Sequence, residues 1–208
     1  MNPSIEPYKI LGACFRQPTP DLFAALQELE LFRESLQSCS LEALRREYAL
    51  LFSLTVGGGI AMNEIEYVNT HGFNKTQLLA DISGFYQAFG MQVAAGERVD
   101  FVGVEMEFMH WLLTKERYAL DRNEESNAQV CGDAAQAFLK EHAGCWVPSV
   151  GRRLLQETRL DFYRNVGQAL VDFLDSECQR LEVEPAVMAL TPSAPGPITD
   201  EHECPCGL

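Results

Sequence analysis

Apolar residues recur at helical spacing along most of the chain, and this pattern predicts an all-α protein. The clearest case is a helix predicted over residues 100–120, with Asp100 as its N-cap, because a carboxylate there can accept a hydrogen bond from a free N–H of the first turn. Its apolar face, with intervals of four, three and four residues, consists of Val102, Met106, Met109 and Leu113.

The same period predicts further helices on both sides of this one. Ser40 has the side chain of an N-cap, and Gly90 has the backbone freedom to end the helix that precedes residue 100. A polar turn is expected over 121–127 and a corner over 144–148. The predicted helices cover residues 5–15, 19–36, 40–52, 75–89, 100–120, 128–142, 150–156 and 160–181.

Two stretches interrupt the helical pattern. Three successive glycines at 57–59 cannot hold a helix, so a long loop is expected over 55–74. Residues 183–208 contain five of the ten prolines and no Lys or Arg, and such a composition cannot bury a core. The sequence therefore predicts one helical domain over 1–182 and a disordered or loosely attached tail over 183–208.

The charge balance narrows the classes of partner. A formal net charge of -14 at pH 7 argues against nucleic acid and anionic membrane surfaces, and it suits a basic partner. No apolar run approaches the roughly 18 residues of a spanning helix, and no secretory signal is visible, so we expect a cytoplasmic protein. Five of the seven cysteines are scattered singly and are expected to be reduced.

Two groups of residues have the types that bind metals. Glu107 and His110 form a Glu-x-x-His on the helix predicted over 100–120, but a di-iron bundle needs a second copy and two more glutamates, which the sequence lacks. His202, Cys204 and Cys206 offer three ligands to a soft metal, whereas a structural zinc site needs four. A metal-binding helical protein or enzyme therefore stays open as an alternative, and no cofactor is predicted.

Several short motifs, taken in order, resemble one family. The chain has Glu97 and Asp100 before a helix that carries Glu-Met-Glu-Phe-Met, and it departs from the family pattern at Val99, where Pro is usual, and at Phe101, where His is usual. Further matching elements lie at 47–52, 63–67, 85–91 and 142–148. Over residues 5–182 the chain resembles the TorD/DmsD/NarJ family of redox-enzyme maturation chaperones, and most of all the subgroup that serves type II DMSO-reductase-like enzymes.

The resemblance implies a TorD-like helical bundle that is a chaperone and not an enzyme. Such a protein binds the immature catalytic subunit of a molybdopterin oxidoreductase in the cytoplasm and assists insertion of the molybdenum cofactor before assembly or export. The twin-arginine signal peptide of that subunit is a second expected ligand. A homodimer is conceivable, because the long loop would permit protomers to exchange elements. A generic helical adaptor with a different acidic surface is the other alternative.

Carboxylates and aromatic rings are concentrated in the predicted loop and around the helix predicted over 100–120, and this combination suits a guanidinium group. Carboxylates form bidentate hydrogen bonds with it while a ring stacks on its plane. An acidic patch beside an apolar groove would match two adjacent arginines followed by an apolar stretch; the alternative is a solvated acidic face plus an N-cap. The predicted client-binding residues are Glu64, Glu66, Tyr67, Glu97, Asp100, Phe101, Glu105, Glu107 and His110.

Overall fold

The computed structural model describes residues 5–53, 59–68, 72–186 and 188. Within these ranges an isolated antiparallel bridge is the only strand-like pairing, so the predicted all-α class is confirmed. The α-helices are α1 (Ile5–Ala13), α2 (Pro20–Gln27), α3 (Glu30–Gln37), α4 (Leu41–Phe52), α5 (Gly72–Ala88), α6 (Val102–Asp121), α7 (Glu125–Phe138), α8 (Gly144–Glu157) and α9 (Asp161–Arg180).

Helix α6 forms the centre of the bundle. It packs against α1 and α7, while α8 pairs with α9. The α8–α9 crossing is close because glycines face each other there: a Cβ atom built on Gly167 would lie 2.8 Å from the carbonyl oxygen of Gly151. Residues of α6 that are fully or almost fully buried include Val102, Val104, Met106, Phe108, Met109, Leu112 and Leu113.

Helix starts follow the predicted chemistry in the first part of the chain. Thr19 Oγ1 accepts a hydrogen bond from Leu22 N at 3.1 Å, and Ser40 Oγ accepts one from Ala43 N at 3.1 Å, which confirms Ser40 as an N-cap. The prediction of a single helix over 19–36 is wrong. Leu29 is extended, with φ -79 and ψ 127, so the chain breaks between α2 and α3.

The predicted turn over 121–127 is shorter, and the predicted corner over 144–148 is wrong. Helix α7 already begins at Glu125 and continues through a π-helical turn, Leu139–Ala143, directly into α8. Pro148 lies inside α8. The π turn inserts an extra residue into the helical path ahead of α8, and the chain stays helical at Pro148, where a proline would ordinarily end a helix.

The described part of the predicted loop is fixed to the start of α6. Segment 59–68 contains a 3-10 turn, Glu64–Glu66, and α5 begins at Gly72 rather than at residue 75. The N–H of Glu64 donates to the carbonyl of Asp100 at 2.9 Å, and the N–H of Val102 donates to the carbonyl of Met62 at 2.9 Å. Residues 54–58 and 69–71 of the chain lie outside the described residues.

The first residues of the predicted tail pack on α8. Val183 is buried, the N–H of Met188 donates to the carbonyl of Cys145 at 2.6 Å, and Ser149 Oγ donates to the carbonyl of Met188 at 2.6 Å. These contacts belong to the described residues 183–186 and 188, whereas residues 189–208 lie outside the described ones. The division into a domain and a tail stays a prediction. No described helix combines the length and apolarity needed to cross a bilayer.

Candidate functional site

Asp100 is not the N-cap of the central helix, which corrects the sequence prediction. Helix α6 begins at Val102, and Phe101, which precedes it, is extended and makes no side-chain cap. Asp100 is buried instead: its Oδ2 accepts a hydrogen bond from Ile65 N at 3.2 Å and lies 2.9 Å from Arg98 Nη2. Its carboxylate therefore ties segment 59–68 to the start of α6, and the carbonyl of Met62 takes the first free N–H of the helix.

Glu105 is fully buried in α6 and accepts a hydrogen bond from a tryptophan. Trp146 Nε1 donates to Glu105 Oε2 at 2.9 Å, while Glu105 Oε1 has no hydrogen-bond partner among the described residues. Burial and the nearby Glu64 carboxylate raise the pKa of Glu105 well above its ordinary value, although the indole N–H acts in the opposite direction. The environment thus favours the neutral acid.

The ring of His142 lies between two carboxylates. Its Nδ1 lies 3.3 Å and 3.2 Å from the two oxygens of the buried Glu64, and its Nε2 lies 3.3 Å from Asp81 Oδ2. The second contact lacks hydrogen-bond geometry, since Nε2 has no such partner among the described residues. The ring of His142 also packs against Phe138, with the ring centroids 4.9 Å apart.

Tyr67 completes what we call the buried cluster: Glu64, Tyr67, Asp100, Glu105, His142 and Trp146. The Tyr67 hydroxyl donates to the carbonyl of Ala61 at 2.9 Å, and its ring packs on Trp146 with centroids 5.1 Å apart. Burial raises the pKa of Tyr67. Four of the predicted client-binding residues, Glu64, Tyr67, Asp100 and Glu105, therefore lie inside the protein, and direct client contact with them stays a prediction that requires this region to open.

Three other predicted residues, Glu97, Glu107 and His110, line a cavity that is open to solvent. Its volume is about 520 Å³, and we call it the open pocket. Glu66 and Phe101 are half-buried and do not line it. The apolar wall of the open pocket is formed by Met91, Val93, Val104 and Trp111.

The geometry of the pocket depends on contacts at its rim. Gly90 has φ +70 and ends α5, as predicted, so the chain turns back along α6. Trp111 Nε1 donates to the carbonyl of Phe89 at 3.0 Å, and His110 Nδ1 donates to the carbonyl of Ile5 at 2.9 Å. The second bond leaves Nε2 as the acceptor of the neutral His110 ring.

Arg16 is the functional candidate that sequence reasoning missed. Its guanidinium forms a short ion pair with Glu97 through Nη1, and its Nη2 lies 3.4 Å from Glu97 Oε2 and 3.1 Å from Glu107 Oε2. The partners are 81 and 91 positions away in the sequence. No pattern of neighbouring residues predicts such a distant contact. The acidic pair that was predicted to bind a guanidinium therefore already holds one from the protein itself.

The structure brings the predicted metal ligands into other contacts. Glu107 pairs with Arg16, and His110 bonds to a backbone carbonyl. Among the described residues there is no group of three or more His, Cys, Asp or Glu side chains arranged to hold a metal ion. His202, Cys204 and Cys206 lie outside the described residues.

The described residues form an all-α bundle with a solvent-open pocket that has carboxylates beside an apolar wall, an arrangement suited to binding. The family model described as "Nitrate reductase delta subunit" matches residues 18–151. The chain therefore belongs to this family, the NarJ/TorD type of redox-enzyme maturation chaperone, which confirms the resemblance seen in the motifs. It is a chaperone of molybdoenzyme maturation and not an enzyme.

Two relatives agree with the family. The chain is 29% identical over 180 residues to the chlorate reductase assembly chaperone protein of Ideonella dechloratans, covering 86% of this chain and 89% of the relative. It is 27% identical over 121 residues to the perchlorate reductase assembly chaperone protein of Dechloromonas aromatica (strain RCB), covering 57% of this chain and 53% of the relative.

Proposed function

We propose that this chaperone binds the immature catalytic subunit of a molybdopterin oxidoreductase in the cytoplasm and assists insertion of the molybdenum cofactor before assembly or export. The names of the two relatives favour a client of the chlorate or perchlorate reductase kind. The motifs described above add the narrower proposal that the client is a type II DMSO-reductase-like enzyme. The net charge of -14 suits a basic segment on that client.

The open pocket is the observation that supports client binding. It places Glu97 and Glu107 beside an apolar wall that includes Val93 and Trp111. Carboxylates bind a guanidinium through charge-assisted hydrogen bonds, and an apolar wall accepts the side chains that follow it. A twin-arginine signal peptide presents both features in sequence, so we propose it as the segment that enters the pocket.

Release follows from differential binding. A chaperone shifts a client only by its preference for one state, and an immature subunit exposes segments that the folded, cofactor-loaded subunit covers. Folding of the client around its cofactor would therefore remove the bound segment. Binding and release in this order need no covalent step on the chaperone. A homodimer of the chaperone could bind and release the client in the same way.

Capture of a defined client tests the proposal. The tagged chaperone is co-expressed with a catalytic subunit of the chlorate reductase type, once in a host that makes the molybdenum cofactor and once in a host that cannot. We expect stable capture of the cofactor-free subunit and weak capture of the loaded one. Equal capture of both forms, or of neither, would contradict the proposal.

Peptide titration tests the finer part of the proposal. A peptide with two adjacent arginines and an apolar stretch is compared with its Lys-Lys variant. We expect tighter binding of the arginine peptide, because lysine is a point charge and cannot form the bidentate contact. Equal binding of the two peptides would contradict recognition of the signal peptide. Capture of the cofactor-free catalytic subunit would stand as a separate result.

A further inference from the structure

The open pocket is occupied by a side chain of the protein itself. Arg16 lies just after the end of α1 and reaches Glu97, in the loop before α6, and Glu107, on α6. The two carboxylates thus converge on one guanidinium although they belong to different elements. The side chain of Arg16 is 36% exposed, so it lies at the mouth of the cavity and not beneath it.

The charges of the pocket are balanced. Lys9 and Arg16 stand against Glu97 and Glu107 on its lining. A client arginine that entered with Arg16 in place would bring a third positive charge to two carboxylates that already have a partner. It can gain the same bidentate contacts only if the Arg16 guanidinium leaves.

We infer that Arg16 is an internal competitor that holds the client-binding carboxylates until a client guanidinium displaces it. The inference rests on the proposed function, because it describes the regulation of the same pocket. The contact is autoinhibitory: it lowers affinity for a lone arginine and reserves binding for segments that also fill the apolar wall.

Displacement requires movement of one side chain. The bond from His110 Nδ1 to the carbonyl of Ile5 fixes the first turn of α1 to α6, so the helix itself can stay in place. The exchanged ion pairs are half-exposed and similar in kind, and the exchange is therefore close to neutral. Net affinity then comes from the apolar contacts with Met91, Val93 and Trp111, which suits reversible binding.

The decisive variant is Arg16→Gln, with Lys9→Gln as its matched control. Both remove one positive charge from the same lining, but among the described residues Arg16, and not Lys9, forms ion pairs with the two carboxylates. The probe is the peptide with two adjacent arginines and an apolar stretch, titrated by fluorescence anisotropy. We expect R16Q to bind it about 3- to 10-fold tighter than the natural protein, and K9Q to gain less than about 2-fold.

Salt provides a second readout. Displacement replaces one ion pair by another, so wild-type affinity should change little between about 0.05 and 0.3 M salt. In R16Q the peptide forms ion pairs without breaking any, so its affinity should fall more steeply with salt. Should R16Q fail to fold, Arg16→Lys serves in its place, because a lysine competes less well for a bidentate site and should also tighten binding.

Two outcomes would overturn the inference. One is that R16Q or R16K binds the peptide no tighter than K9Q does, or more weakly than the natural protein does. The other is that none of the proteins binds the peptide. Capture of the cofactor-free catalytic subunit separates this failure from failure of the proposed function. If the subunit is captured and R16Q behaves like K9Q, the competitor role is lost and the chaperone function stands.

Discussion

The indole N–H of Trp146 donates to Glu105 Oε2 at 2.9 Å, joining α8 to the central helix α6 across 41 positions of sequence. Both side chains are fully buried. Tyr67 packs on the same indole, so segment 59–68 is attached to this bond from the other side. Helix α6, helix α8 and segment 59–68, which enclose the buried cluster, therefore meet at one hydrogen bond.

Replacing Glu105 separates its size and polarity from its charge. Glu105→Gln keeps an oxygen that accepts the Trp146 N–H and should change the free energy of unfolding by less than about 1 kcal/mol. Glu105→Leu leaves that buried donor without a partner and should cost about 1–3 kcal/mol. Urea unfolding at about pH 4.5, where the raised pKa of Glu105 contributes little to the difference from the variants, measures both, and equal losses in the two variants would contradict a role for the hydrogen bond.

The raised pKa of Glu105 predicts a pH dependence of stability. A carboxyl with a raised pKa in the folded state stabilises it fully below the unfolded value, near 4.5, and this contribution is lost as pH rises toward the folded pKa. E105Q does not titrate. Unfolding curves from pH 5 to 8 should therefore show the stability of E105Q increasing relative to the natural protein as pH rises, and a constant difference would contradict the assignment.

The pair of His142 and Glu64 should be strongly coupled. His142→Leu leaves the buried Glu64 side chain without the His142 ring nitrogen that lies 3.2 Å away, and it should cost about 1–3 kcal/mol. Glu64→Gln changes the other side of the same contact, so the double variant should lose at least about 0.5 kcal/mol less than the sum of the two single losses. A double-mutant cycle in urea measures the coupling, and additive losses would show that the two side chains act independently.

Charge reversal at the pocket should affect binding more than stability. Glu97→Lys removes one carboxylate from the guanidinium site, but the ion pair is half-exposed and its loss should cost less than about 1 kcal/mol of stability. Capture of the cofactor-free subunit should fall several-fold. Glu42→Lys is the control, because Glu42 pairs with Arg46 on the exposed face of α4. Parallel losses of binding and melting temperature in E97K would mark Glu97 as structural.

The glycine crossing of α8 and α9 gives a steric prediction. In Gly167→Ala the new Cβ would lie 2.8 Å from the Gly151 oxygen and 3.0 Å from Leu154 Cβ, so the helices must separate, at a cost of about 1–3 kcal/mol. Gly84→Ala in α5 meets no atom within 4 Å and should gain about 0.5–1 kcal/mol from helix propensity. Thermal unfolding of the two variants should show shifts of opposite sign.

Local chemistry made much of the fold predictable. The Ser40 cap, the end of α5 at Gly90 and the apolar face of α6 depend on neighbours within a few residues, and all three agree with the structure. The break at Leu29 and the continuous path through Pro148 did not follow from such rules. Leu29 continues the apolar period although its backbone is extended, and the π-helical turn ahead of Pro148 leaves no mark in the pattern of apolar residues.

The site was predictable in composition but not in arrangement. The sequence placed carboxylates near α6, yet it could not separate the buried Glu64, Asp100 and Glu105 from Glu97 and Glu107 at the pocket. Segment 59–68 decides which of these carboxylates are buried. Its position depends on hydrogen bonds to Asp100 and Val102, which are more than 30 residues away in the sequence. The contact of Arg16 with the acidic pair is equally remote in sequence.

The π-helical turn at Leu139–Ala143 sets the direction in which two distant side chains point. His142 lies within the turn and Trp146 four residues later, so both face the same side of a continuous helical rod, one toward Glu64 and the other toward Glu105. Losing one residue there would rotate everything after it by about 100° about the helix axis. A change in length within these five residues would thus disconnect the polar interior while every participating side chain remained unaltered.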